Sequence, residues 1–134
     1  MKIEHIAFNV QNPVAAAEWY VKHLGMRVVR KSGEPSYTHF LADSPGRAVM
    51  EIYNNPKVAV PDYAATDPLV LHLAFAVDDI HGARDRLLRA EATAEGEITR
   101  TPAGDEIAMV RDPWGFAIQL VKRTVPLVDR STRA

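Results

Sequence analysis

The chain has 134 residues and no cysteine, and its 16 basic and 17 acidic residues give a formal charge of −1 at pH 7. This excludes disulfides, thiolate metal ligands and a cysteine nucleophile, and it leaves no charge excess to attract nucleic acid or an anionic membrane. Hydrophobic residues make up 47% of the chain but fall in short runs, well below the roughly 18 apolar residues of a membrane span, so a single cytoplasmic domain is expected.

Residues 3–10 alternate as a strand, with Ile6, Phe8 and Val10 on one face and His5, Ala7 and Asn9 on the other. A helix follows. Asn12 is placed to cap it, Pro13 opens it, Gly25 stops it, and Val14, Ala17, Val21 and Leu24 recur at helical spacing. Strands are predicted at 26–30, 37–42 and 48–53, separated by the turn-forming stretches Ser32-Gly33-Glu34-Pro35 and Asp43-Ser44-Pro45-Gly46. The Pro-bearing stretch up to Pro68 reads as a linker. The same order then repeats: a strand at 70–77, a helix opened by Asp78 or Asp79 with Ile80, Ala83, Leu87 and Ala90 inward, and strands near 93–100, 105–111 and 116–121. Asp112-Pro113-Trp114-Gly115 is a tight turn, and residues 124–134 read as a loosely held tail.

The repeat is visible residue by residue. His5-Ile-Ala-Phe-Asn-Val10 returns as His72-Leu-Ala-Phe-Ala-Val77, and Val49-Met-Glu51-Ile-Tyr53 is answered by Ala117-Ile-Gln119-Leu-Val121. Strand parity sets His5, Glu51, His72 and Gln119 opposite the larger aliphatics, on faces where Ala7, Ala74, Ala76 and Ala117 leave room. A lone strand histidine is ordinarily a hydrogen-bonded core residue. Two imidazoles, a carboxylate and an amide at repeat-related positions instead make a ligand set for a hard or borderline divalent metal. Tyr20, Trp19 and Trp114 read as packing residues, and His23 and His81 as helix-surface residues.

With these residues in place the chain resembles the vicinal oxygen chelate superfamily, which includes glyoxalase I, methylmalonyl-CoA epimerase, extradiol dioxygenases and the fosfomycin- and bleomycin-resistance proteins. The resemblance covers residues 1–123 and rests on His5, Trp19-Tyr20 through Leu24-Gly25-Met26, Glu51, His72, and Asp112-Pro113-Trp114-Gly115 ahead of Gln119. It is nearest in layout to glyoxalase I. It implies an α+β domain of two βαβββ modules, 1–55 and 69–123, joined by a linker at 56–68. The modules would form an eight-stranded incomplete barrel with its helices outside, in a homodimer with sites at or near the interface.

The implied metal ligands are His5, Glu51, His72 and Gln119, holding Zn, Ni, Co, Mn or Fe. The implied activity is that of a lyase or isomerase on a small substrate chelating through adjacent oxygens, by proton transfer through a metal-stabilised enediolate. Glu51 is then the base, because the amide of Gln119 cannot take up a proton. Asn9, Tyr53, Asn55 and His39 are the candidate substrate contacts. Two positions depart from the glyoxalase I pattern: Gln119 stands where glutamate is usual, and Asn9 stands where an arginine holds a glutathione carboxylate. Two alternatives are an Fe(II) or Mn(II) ring-cleaving dioxygenase and a non-catalytic protein that sequesters a small molecule such as an antibiotic.

Overall fold

A computed structural model describes residues 1–128, and the chain divides into two compact units, Met1–Pro61 and a second beginning at Asp62. Each is a βαβββ module. The first runs β1 (Ile6–Asn9), α1 (Pro13–Leu24), β2 (Arg27–Lys31), β3 (His39–Ala42) and β4 (Val49–Tyr53). Its sheet has the order β1-β4-β3-β2, with β1 parallel to β4 and the other pairs antiparallel. The second runs β5 (Leu73–Ala76), α2 (Ile80–Arg89), β6 (Thr93–Arg100), β7 (Glu106–Arg111) and β8 (Ala117–Lys122), in the corresponding order β5-β8-β7-β6. Among the described residues no helix is long and apolar enough to cross a membrane.

Local chemistry sets the helix ends as the sequence predicts. The Asn12 side chain accepts a hydrogen bond from the Ala15 N–H at 3.1 Å, Pro13 opens α1, and Gly25 closes it at φ 67°. Asp79, rather than Asp78, caps α2 by accepting from the Gly82 N–H at 3.0 Å. The buried face of α1 differs from expectation: Pro13, Ala16, Ala17, Trp19 and Tyr20 face inward, while Val14 and Val21 stay about 40% exposed. The large rings of Trp19 and Tyr20 remove more apolar area from water than two valines, and so set the rotation of the helix.

On the helix side of the first sheet lie Leu41, Met50 and Ile52; on that of the second lie Val110, Ile118 and Leu120. Each is at most 5% exposed, and burying one such side chain stabilises by roughly 1.5–3 kcal/mol. This leaves the opposite face of each sheet for the polar positions.

The expected linker is not one connector. Its start is held by the first unit, where Asn9 Oδ1 accepts from the Asn55 N–H at 2.8 Å and Asn9 Nδ2 donates to the Val58 carbonyl at 3.0 Å. Its end forms a 3-10 helix, Tyr63–Ala65, held by the second unit: Arg111 donates to the carbonyls of Tyr63, Thr66 and Gly115 at 2.9 to 3.0 Å and to Glu95 at 2.7 Å. Part of the predicted tail is also anchored, since Asp105 accepts from the Thr124 N–H at 2.8 Å. Residues 129–134 lie outside the described residues.

Candidate metal-ligand positions

In the first unit Glu51 is in register with Ala7 on β1 and Phe40 on β3, so all three share the face turned away from α1. His5 stands two residues before Ala7, just outside β1, on the same face. Its Nε2 lies 3.2 Å from Glu51 Oε2, and its ring meets Phe40 edge-on at 5.5 Å between centroids. The other ring nitrogen, Nδ1, contacts the Glu4 carboxylate. The imidazole's pKa is raised: the hydrogen bond to Glu4 is the largest cause, burial opposes it next, and the charges of Glu4 and Glu51 then add to the rise.

The residues fit a divalent ion on one geometric ground. Two ligands about 2.1 Å from a common metal, at angles between octahedral and tetrahedral, are about 3.0–3.4 Å from each other. The separation of His5 Nε2 and Glu51 Oε2 falls in that range. A carboxylate on the remote ring nitrogen is also the usual support of a metal-binding histidine, because it fixes the ring and raises its basicity.

In the second unit Gln119 is in register with Ala74 on β5 and Met109 on β7, again facing away from the helix. His72 precedes β5 with the parity of Ala74. Its Nδ1 is 2.7 Å from the Pro68 carbonyl. A carbonyl can only accept, so Nδ1 carries a proton, and the neutral ring keeps its Nε2 lone pair for a ligand. Each unit therefore presents one histidine with its remote nitrogen already committed, and one oxygen donor. Among the described residues no three His, Cys, Asp or Glu side chains lie together as a metal-binding group.

The four candidate substrate contacts fall out differently. Tyr53 and Asn9 are paired in register on the face of Glu51. Asn9, however, is 9% exposed, and both ends of its amide are taken up by the backbone of residues 55 and 58, so it acts as a structural clamp. Asn55 uses its side-chain oxygen to accept from the Lys57 N–H at 3.0 Å. His39 is in register with Ile52 and therefore faces α1, opposite Glu51; it is 7% exposed and Nδ1 donates to the Tyr37 carbonyl at 2.7 Å. It does not line the face of Glu51.

Sequence reasoning missed Glu4 and Arg111. Alternation over residues 3–10 sets Glu4 with Ile6 on the face opposite His5, whereas Glu4 lies ahead of β1 and its carboxylate contacts the His5 ring. Arg111 acts on carbonyls distant in sequence.

Two repeated βαβββ modules, each carrying a histidine ahead of its first strand and an oxygen donor in its last, define a paired-module α+β protein of the vicinal oxygen chelate type. The family model of the Glyoxalase/Bleomycin resistance protein/Dioxygenase superfamily matches residues 2–120, and the chain belongs to that superfamily. It is 31% identical over 131 residues to a probable lactoylglutathione lyase of Vibrio cholerae, covering 90% of both proteins. It is 28% identical to a lactoylglutathione lyase of Haemophilus influenzae, over 91% of this chain and 93% of that protein. A glyoxalase family protein from Bacillus cereus superposes with a TM-score of 0.77 at 16% identity, covering 91% of this chain and 93% of that one, which supports the fold alone.

Proposed function

We propose that this protein is a divalent-metal-dependent lyase or isomerase of the glyoxalase type, acting on a small substrate with adjacent oxygens. The observation that carries the reading is the 3.2 Å approach of His5 Nε2 to Glu51 Oε2 on the face they share with Ala7 and Phe40. Family membership and relatives named as lactoylglutathione lyases support it. In this reading the two modules come together as the incomplete barrel of the family, within one chain or across a homodimer, and His5, Glu51, His72 and Gln119 hold one ion of Zn, Ni, Co, Mn or Fe.

The bound ion would supply Lewis acidity to adjacent substrate oxygens. Glu51 is the only one of the four side chains able to accept a proton from one substrate carbon and return it to its neighbour. His5 holds the Glu51 carboxylate in place. Tyr53, on the same face, orients the substrate. Asn9 stands where glyoxalase I-like proteins carry an arginine, and its amide is already taken up by the backbone of residues 55 and 58, so Asn9 itself does not hold a substrate carboxylate.

The test is metal analysis of the native protein, followed by turnover of methylglyoxal with and without glutathione, for the parent and for Glu51→Gln. Bound Zn, Ni or Co with activity that Glu51→Gln abolishes while remaining folded is the expected result. Full turnover by Glu51→Gln removes the base role. A metal-free, inactive protein that still binds a small molecule establishes the sequestering alternative.

A further inference from the structure

The first unit has a cleft on the side of its sheet turned toward α1 and therefore opposite Glu51. It is a cavity of about 260 Å³ lined by Val14, Ala17, Glu18 and Val21 of α1 and by Val28, Lys31 and His39 of the sheet. Ligand pockets for drug-sized molecules occupy roughly 300–1,000 Å³, so the occupant is smaller.

Three features make it more than a gap beneath a helix. His39 is 93% buried by its 7% exposure, and with Nδ1 donating to the Tyr37 carbonyl the neutral ring presents Nε2 as an acceptor with no partner among the described residues. Glu18 and Lys31 both line the cleft, yet neither side chain has an ion pair or hydrogen bond among the described residues. Lys31 is there because of a bulge. Val28 and Lys31 are separated by an odd number of positions and would point to opposite faces of a regular strand. The register shift between Val28 and Arg30 puts Val28 beside Leu41 and Lys31 beside His39, both on the helix side. Re-aiming one side chain is a typical consequence of a bulge.

We propose that this cleft binds a small zwitterion with a branched aliphatic body, the chemistry of an aliphatic α-amino acid. The ammonium donates to Glu18 and to His39 Nε2, the carboxylate pairs with Lys31, and the body packs on Val14, Ala17, Val21 and Val28. The exposure of Val14 and Val21, left over from the rotation of α1, is then the apolar wall of the cleft.

The experiment is a titration of the full chain, followed through its backbone amide NMR signals, with three probes: L-leucine, 4-methylpentanoate (no ammonium) and 3-methylbutan-1-amine (no carboxylate). Saturable shifts at residues 14–21, 28–31 and 39 with L-leucine are expected. Each half-ligand, and L-leucine with Glu18→Gln, should bind about tenfold more weakly or worse, as loss of a charged hydrogen bond implies. Glu18 is exposed, so Glu18→Gln tests the cleft without disturbing the buried His39.

No saturable response to L-leucine overturns the proposal. So do half-ligands that bind equally well, and shifts centred on His5 and Glu51 instead. Cleft signals that depend on protein concentration and ignore L-leucine also overturn it, and identify a second copy of the chain as the occupant.

Discussion

Glu51 and His5 meet diagonally across a parallel strand pair: Glu51 is in register with Ala7, and the His5 ring reaches back to bring Nε2 within 3.2 Å of the carboxylate. Glu4 holds the ring from its other side. Glu4→Gln should therefore weaken divalent-metal binding by about tenfold, the low end of the range for such supporting groups, because Glu4 is 76% exposed and partly screened. Competition against a chromophoric chelator reads this directly. Unchanged affinity, with His5→Ala showing a large loss, would remove Glu4 from the site while leaving His5 in it.

Asp105 gives a pH dependence whose sign is fixed. Its carboxyl is held below the usual aspartate range, first by the Thr124 N–H and then by Arg123, whose guanidinium lies 2.8 Å away. The folded protein thus binds the Asp105 proton more weakly than the unfolded chain does. The resulting stability is present above the ordinary aspartate pKa and is lost as pH falls through the lower folded value. Urea unfolding of the parent and of Asp105→Asn should show the parent's advantage shrinking on acidification. An advantage that stays constant through the acid range would show that Asp105 contributes packing and hydrogen bonding rather than charge.

Gly115 is required by both its backbone and its neighbour. It sits at φ 88°, and a Cβ there would stand 2.6 Å from Ala64 Cβ and 2.8 Å from Ala64 Cα. The turn that places β8, and with it Gln119, is packed directly on the 3-10 helix at Tyr63–Ala65. Gly115→Ala should cost about 2–4 kcal/mol, combining a left-handed alanine with an overpacked contact. A denaturant midpoint within error of the parent would show that Ala64 moves away freely.

Much of this arrangement is written in local residue patterns, and the exceptions share a cause. Alternation places Met50, Ile52, Ile118 and Leu120 toward the helices, because one wrong register would expose all of them at once. The caps at Asn12, Gly25 and Asp79 are local chemistry and are equally plain. The rotation of α1 is not, since its alanines and valines supply more than one apolar stripe and only the Trp19 and Tyr20 contacts choose between them. The phase of His39 is set by pairing with Ile52 after an irregular turn in which Tyr37 takes φ 48°. Asn9 lies on the face its parity indicates, but its partners are backbone groups at 55 and 58, which no strand pattern specifies.

Arg111 shows the same limit from the other side. Its fork satisfies three carbonyls and the Glu95 carboxylate at once, fixing the second half of the inter-module segment. A lysine keeps the charge but lacks this planar set of donors, so Arg111→Lys should destabilise by about 2–3 kcal/mol, as part-buried carbonyls lose their partners. Hydrogen exchange should accelerate selectively at residues 63–66. Uniform acceleration across the second unit would mean that Arg111 supports the whole sheet rather than this segment.

Gln119 poses the sharpest question of charge. By the repeat it answers Glu51, and its register beside Ala74 and Met109 gives it the same outward face. An amide oxygen contributes a dipole where a carboxylate would contribute a full charge. If Gln119 is a ligand, Gln119→Glu should tighten divalent-metal binding by about tenfold or more, since affinity in oxygen-rich sites follows ligand charge. The variant would also carry a second group able to accept a proton, so its turnover should depend less on Glu51, and Glu51→Gln should do less damage in that background than alone. Were the change to leave metal affinity untouched while His72→Ala lowered it, the second unit would contribute its histidine only.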